Sequence, residues 1–166
     1  SATDPDGTTP SFTTGTLPSG ATFVNNGNGT GTFNWTPTFV QAGVYPVIFR
    51  TSDGLLVDTE VVQITVSDAG NQRPVLATIG ARSTTEGINL SFVMSAVDPD
   101  GTIPTISSGT LSSGATFVYN GNGTANFSWP PTFIQAGTYN VLFFTSDGGL
   151  NDSELVQMTV LEAGNQ

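Results

Sequence analysis

The sequence repeats itself at an offset of 94 residues, and that repeat constrains the fold more than any other feature. Ser1 to Gly7 reads SATDPDG, and Ser95 to Gly101 reads SAVDPDG. TLPSGATF returns as TLSSGATF and TFVQAGVY as TFIQAGTY, while TSDG and AGNQ return unchanged. The offset aligns 166 − 94 = 72 pairs, and 48 of them are identical. The chain is therefore expected to hold two units, residues 1–72 and 73–166. A unit of this size can form its own core, although small domains are marginal.

The complete unit, 73–166, reads as strands throughout. Residues 75–79 are apolar and bounded by Pro74 and Gly80. Over 88–97, Ile88, Leu90, Phe92, Met94 and Ala96 fall on one face, the period of two that marks a half-buried strand. Asp98-Pro-Asp-Gly101 breaks this strand as a turn. Residues 105–111 form a weaker strand. Residues 115–119 and 124–129 flank Asn120-Gly-Asn-Gly123, which supplies the positive-φ positions a tight hairpin needs. Strands over 137–145 and 154–161 close the unit around Asp147-Gly-Gly. No window shows helical periodicity. Seven short strands with regular turn signals predict an all-β fold, an antiparallel β-sandwich. Trp35 and Trp129 are expected to pack in the cores. Asp58, Glu60, Asp152 and Glu154 read as the solvated face of the last strand of each unit.

Ser1 aligns with Ser95, so the first unit has no counterpart of residues 73–94. Those 22 residues hold the first strand and nearly all of the second. Without them a sandwich has an open face and unpaired edges. Two explanations stand. The chain is cut from a longer array of repeats, or another polypeptide supplies the missing strands by β-strand addition.

Charge narrows the function. Thirteen acids stand against Arg50, Arg73 and Arg82, with no lysine, for a net charge of −10. Nucleic acids and anionic membranes need a basic footprint, so neither is an expected partner. No run of about 18 apolar residues exists, so no membrane insertion is expected. The absence of His, Cys and Lys excludes Ser–His–Asp triads, zinc sites and Schiff bases. Paired carboxylates can hydrolyse glycosides, but these acids lie in turns that recur in both units, which points to structure. The chain is expected to be non-enzymatic.

Several motifs carry a resemblance. Gln135-Ala-Gly-Thr-Tyr139-Asn-Val141 resembles the D-x-A-x-Y-x-C segment that opens strand F of immunoglobulin domains. Tyr139 then stands as the corner tyrosine, its hydroxyl bonding back to the preceding loop, and Val141 stands where the disulfide cysteine would be. Tyr45 and Val47 repeat the pattern. RPVLATIG at 73–80, TTEG at 84–87, SAVDPDG at 95–101, LSSGATF at 111–117, FSWPPT at 127–132 and TSDGG at 145–149 extend it. Together the complete unit resembles the bacterial Ig-like and cadherin-like tandem repeats, including the dystroglycan-type cadherin-like and putative-Ig groups. The resemblance implies tandem arrays in secreted or cell-surface proteins, often spacers in adhesins, with neighbouring repeats or identical subunits as partners.

It also implies a place for a metal. In an Ig-like sandwich the loops after strands B and F lie at the end where the chain comes in. Asp98, Asp100 and Asp147 should therefore converge with the linker, Asp68 to Gln72. DPD at 98–100 looks like the cadherin D-x-D, Asp147 like the D-x-G aspartate, and Asn71 holds roughly the linker position. Asp4, Asp6 and Asp53 repeat the triad in the first unit. Glu86 looks like the early glutamate and would sit at the far end, near Gln166. Three carboxylates at one tip suit Ca²⁺, which takes six to eight oxygen ligands. The linkers SDAGNQ and LEAGNQ lack the D-x-N-D-N motif, so one weak site is expected in place of a multi-ion joint. The competing reading makes these aspartates ordinary turn residues capping their own backbone. The function expected is a spacer or stalk in adhesion, its joint stiffened by Ca²⁺. The alternatives are a self-assembling filament subunit completed by strand donation, and a glycan- or protein-binding adhesin module, for which Tyr119 is the one candidate aromatic.

Overall fold

The computed structural model describes residues 1–164. It divides into two compact units, Ser1–Ala69 and a second beginning at Gly70. Among the described residues every regular element is a strand, and no helix is long and apolar enough to cross a membrane.

The first unit holds β1 (Ser11–Thr14), β2 (Thr22–Asn25), β3 (Gly31–Asn34), β4 (Gly43–Ser52) and β5 (Val57–Val66). The second holds β6 (Val75–Leu76), β7 (Arg82–Thr85), β8 (Leu90–Val97), β9 (Thr105–Ser108), β10 (Thr116–Tyr119), β11 (Thr124–Trp129), β12 (Gly137–Ser146) and β13 (Asn151–Leu161). In the second unit two four-stranded sheets, ordered β10-β11-β8-β6 and β7-β13-β12-β9, enclose the core. The expected β-sandwich is present, antiparallel but for the pairing of β7 with β13.

Strand alternation builds this core. Val156, Met158 and Val160 point inward from β13, and Val141, Phe143 and Thr145 from β12. Ala125, Phe127 and Trp129 face them from β11. Phe92 stacks on Phe127 with centroids 4.9 Å apart, and Phe143 meets the edge of both rings. Trp129 is wholly buried, as expected, and its indole N–H donates to the Ser113 carbonyl at 3.2 Å. The corner tyrosine also behaves as expected. The Tyr139 hydroxyl donates to the Gln135 carbonyl at 3.0 Å, and the Tyr45 hydroxyl to the Gln41 carbonyl at 2.9 Å. The Asn-Gly hairpin joins β10 to β11, with φ of 82° at Gly121 and 75° at Gly123.

Three details differ from the sequence reading. The second unit has eight strands, because β7 was hidden in the polar run Arg-Ser-Thr-Thr. This strand runs parallel along β13, and its Arg82 guanidinium lies 5.2 Å from the Phe92 ring centre. The apolar stretch at 75–79 forms only the short strand β6, for a reason given below. Ile88 belongs to no strand and is exposed.

The first unit is half of this architecture. It has a three-stranded sheet, β1-β4-β5, and a two-stranded sheet, β2-β3. The counterparts of β6, β7 and all of β8 but its last three residues are missing. Ser1 to Thr3 occupy those last three positions. The Ala2 N–H donates to Gly29 at 2.9 Å, as the Ala96 N–H does to Gly123 at 2.8 Å. Of the first unit's large apolar side chains only Val47 is fully buried. Phe12, Phe23, Phe33, Phe49, Val62 and Ile64 remain half-buried. Trp35 is likewise half-buried, although it keeps the indole bond to Ser19 at 3.1 Å.

Candidate functional site

Five carboxylates of the second unit lie around the incoming chain, and four of them accept its N–H groups. Asp98 opens the turn after β8. Its Oδ1 accepts the N–H of Asp100 at 2.8 Å, and the Gly101 N–H returns to its carbonyl at 3.0 Å, with φ of 81° at Gly101. This turn aims Asp100 at residue 72, whose backbone N–H donates to Asp100 Oδ2. Asp147 follows β12. Its Oδ1 accepts the N–H groups of Gly149 and Leu150, both at 2.6 Å, and its Oδ2 accepts Asn71 Nδ2 at 2.9 Å. The N–H of Leu150, then that of Gly149, hold the Asp147 carboxyl below the usual carboxylate range, with Asn71 adding to them. Asp147 and Asp100 thus meet the incoming chain at the neighbouring residues 71 and 72, with Asp98 in the turn that carries Asp100.

The other two carboxylates were read as solvated, and that reading is corrected. Asp152 Oδ2 accepts the N–H of Leu76 at 2.9 Å. Glu154 accepts two amides, from Ile79 and Gly80, one on each oxygen at 2.7 Å. Buried main-chain donors must find partners. Residues 77–81 leave one sheet to join the other, so the donors of Ile79 and Gly80 lie off both ladders. Glu154 takes the place of a neighbouring strand there, which is why β6 ends at Leu76. The recurring Asp-x-Glu spacing, Asp-Thr-Glu at 58–60 and Asp-Ser-Glu at 152–154, was the available signal, but alternation alone placed it on the solvent side.

The remaining candidates lie elsewhere. Glu86 is buried; its Oε1 accepts the Ala136 N–H at 2.8 Å and its Oε2 the Ala163 N–H at 3.3 Å. It stands beside the outgoing chain at Ala163, while Gln166 lies outside the described residues. Asp68 is exposed, near the end of the first unit. In the first unit Asp4 accepts the Asp6 N–H at 2.9 Å and the Thr8 hydroxyl. Asp6 itself is exposed. Asp53 Oδ1 accepts the N–H of Leu55 at 2.8 Å and of Leu56 at 2.7 Å, and Leu56 does most to hold its carboxyl below the usual range. Asp58 accepts the N–H of its neighbour Thr59. A cleft of about 400 Å³ opens here, with Ala2, Asp4, Pro10, Thr51, Asp53 and Asp58 on its walls. The Thr51 hydroxyl is buried there without a partner, whereas its counterpart Thr145 donates to Thr105 at 2.9 Å.

Calcium fits the donor chemistry of this end but not its arrangement. All the ligand atoms are hard oxygens, as Ca²⁺ prefers, and Asp98 Oδ2 is buried with no hydrogen bond. Yet among the described residues no three carboxylates come together as a group that could hold a metal ion. Both oxygens of Asp147 and one of Asp100 already accept N–H groups of the chain. Tyr119 turns inward, donating its hydroxyl to the Pro104 carbonyl at 3.0 Å. The exposed aromatic rings are instead Phe39 and Phe133, at equivalent positions in the two units.

The family model described as "Putative Ig domain" matches residues 1–67. Among solved structures the chain is similar to the endo-fucoidan hydrolase MfFcnA4 of glycoside hydrolase family 107, at 20% identity and a TM-score of 0.51; the match covers 95% of this chain and 24% of that one. It is similar to the related hydrolase MfFcnA9 at 23% identity and a TM-score of 0.47, over 90% of this chain and 27% of that one. A chimeric titin Z1Z2 matches at 16% identity and a TM-score of 0.44, over 56% of this chain and 98% of that one. The chain thus spans about a quarter of the length of these hydrolases, and the likeness is one of fold. No curated protein matches the sequence.

Proposed function

The first repeat belongs to the putative-Ig-domain family and the second copies it; from that premise we propose that the chain is a non-enzymatic structural repeat, a spacer of a secreted or cell-surface protein. The observation that carries this reading is the employment of its acids. In the second unit Asp98, Asp100, Asp147, Asp152, Glu154 and Glu86 all accept backbone N–H groups of the same unit. Carboxylates spent on amides hold chain; they are not poised for proton transfer or nucleophilic attack.

Asn71 and Gln72 are latched to Asp147 and Asp100 before the first strand of the sandwich begins. The direction in which the chain enters the unit is thereby fixed, as a load-carrying repeat requires. The bond to Asp100 is partly buried, and charge-assisted bonds of that kind contribute about 1.5–3 kcal/mol. In this reading the latch works without Ca²⁺.

Backbone relaxation of residues 70–75 in the isotope-labelled chain tests the proposal. Order parameters like those of β12 are expected, falling in Asp100→Ala. Free motion of these residues in the unaltered chain would end the latch reading. Hydrolysis of a polysaccharide by the pure chain, lost on substitution of any of these carboxylates, would end the non-enzymatic one.

A further inference from the structure

We propose that Asn122, at the tip of the β10–β11 hairpin, is an acceptor for N-glycosylation, with Asn28 as its counterpart in the first unit. The donor is an oligosaccharide carried on a polyprenyl pyrophosphate and transferred by an oligosaccharyltransferase. The inference goes beyond the spacer reading: it takes from it only the exported setting and nothing of the carboxylate latch.

Six Asn-x-Ser/Thr sequences occur, at Asn28, Asn34, Asn89, Asn122, Asn126 and Asn151, none with proline in the middle. Such a sequence is an acceptor pattern where it lies in an accessible surface loop. The fold divides the six. Asn126 lies in β11, paired with Val118 on one side and Val93 on the other, and its Nδ2 donates to Asn120 Oδ1 at 3.1 Å. Asn34 stands in β3 opposite Thr22, and Asn151 in β13 opposite Ser146. Asn89 leads straight into β8, where Leu90 and Ser91 pair with Trp129 and Ser128. At Asn122 and Asn28, by contrast, the asparagine and the glycine after it both lie in a hairpin turn, and both asparagines are exposed.

The turn gathers the groups that the acceptor pattern must present. Asn122 Oδ1 accepts the Thr124 N–H at 3.2 Å and the Thr124 hydroxyl at 2.6 Å. The Thr30 hydroxyl donates to Asn28 Oδ1 at 2.6 Å in the same way. An asparagine folded onto the residue two ahead is an Asx turn. Along a strand the same two residues stand about 6–7 Å apart. A second asparagine braces each threonine: Asn120 Nδ2 donates to the Thr124 hydroxyl oxygen at 2.8 Å, and Asn26 Nδ2 to that of Thr30 at 2.9 Å. With these bonds falling on Oδ1, the Asn122 Nδ2 is the end of the amide left for reaction. The middle residue is glycine because the turn needs it, with φ of 75° at Gly123.

In the transfer, Asn122 Nδ2 attacks the anomeric carbon of the donor. A C–N bond forms and the bond from that carbon to the pyrophosphate oxygen breaks. Polyprenyl pyrophosphate leaves with the electron pair, and one Nδ2 proton passes to a base of the enzyme.

The test incubates the folded full chain with a purified single-subunit oligosaccharyltransferase and a polyprenyl-pyrophosphate-linked oligosaccharide, then maps glycopeptides by mass spectrometry. A short Asn-Gly-Thr peptide run alongside shows that the enzyme is active. Occupancy at Asn122 and Asn28 is expected at least about tenfold above that at the other four sites, since those require a strand to open first. Asn122→Gln and, separately, Thr124→Val should remove the glycan at Asn122 and leave that at Asn28, while Thr124→Ser should keep both. The proposal is overturned if the active enzyme leaves Asn122 bare in the folded chain, if all six sites are occupied alike, or if Asn122→Gln leaves the glycan count unchanged. None of these results bears on the spacer reading, which the relaxation of residues 70–75 tests by itself.

Discussion

Asp152 accepts the backbone N–H of Leu76 at 2.9 Å, while its counterpart Asp58, 94 residues earlier, is exposed and accepts only the N–H of the adjacent Thr59 among the bonds of its unit. One carboxylate is a structural acceptor and the other is a solvated charge, although both stand in the same sequence, Asp-Ser/Thr-Glu. The difference lies in the segment they face. It sets different expectations for identical substitutions in the two units.

Glu154→Ala strips the acceptors from two amides, one of them on buried Ile79. The loss should be about 2–4 kcal/mol in the unfolding free energy of the second unit. Glu60→Ala removes an exposed side chain and should change stability by less than about 0.5 kcal/mol. Denaturant unfolding of the two variants checks this; equal losses would contradict it.

The aromatic cores should differ in the same sense. Phe143 is fully buried and touches Phe92, Phe117 and Phe127. Phe143→Ala should cost about 3–5 kcal/mol. Phe49 is half-buried and packs against Phe23 and Phe33, so Phe49→Ala should cost less than half as much. Calorimetry resolving the two units reads both.

Two glycines of one hairpin separate conformation from space. Gly121 has φ of 82° and nothing near its missing Cβ, so Gly121→Ala should cost about 1–2 kcal/mol from the left-handed backbone alone. Gly123 has φ of 75°, and a Cβ there would stand 2.9 Å from the Ala96 carbonyl oxygen. That oxygen belongs to the end of β8, which cannot yield cheaply. Gly123→Ala should therefore be the more damaging of the pair by thermal unfolding.

Acid should weaken both units. Amide donors of Leu150 and Gly149 lower the pKa of Asp147, and those of Leu56 and Leu55 lower that of Asp53. A carboxyl with a lowered folded-state pKa binds fewer protons when folded than when unfolded. Its stabilisation is present above the unfolded value of about 4 and is lost as pH falls through the folded value. Stability measured from about pH 5 to about pH 2 should decline, with a shallower slope in Asp147→Asn.

How much of this was legible in the sequence depended on the kind of signal. The 94-residue offset, the alternation of β8 and β11, the Asn-Gly turn and the corner tyrosines are local or periodic, and they led to the observed strands. The resemblance to Ig-like sandwiches pointed to the end where Asp147 and Asp100 meet residues 71 and 72. Two things were not legible. β7 carries no apolar alternation, because its place is set by main-chain pairing with β13 and by the Arg82 contact with Phe92. Asp152 and Glu154 sit in an alternating strand whose polar face is ordinarily solvated. Only the path of residues 76–80 across that face turns them into acceptors, and that path is a tertiary fact. Tyr119 reads in the sequence as the candidate aromatic of a binding module, and only the fold places its hydroxyl on Pro104.

The central claim is that the carboxylates around the incoming chain act on its amides and need no metal. Thermal unfolding of the full chain at neutral pH, with Ca²⁺ and then with excess chelator, tests it most directly. The account predicts the same transition of the second unit in both conditions, and a lowered transition in Asp100→Ala in both. A metal bound to the folded state alone at a hundredfold excess over its Kd adds about 2.7 kcal/mol. A rise of several degrees in Ca²⁺, abolished by Asp98→Asn at the one buried carboxylate oxygen without a partner among the described residues, would contradict the claim and make this end a calcium site.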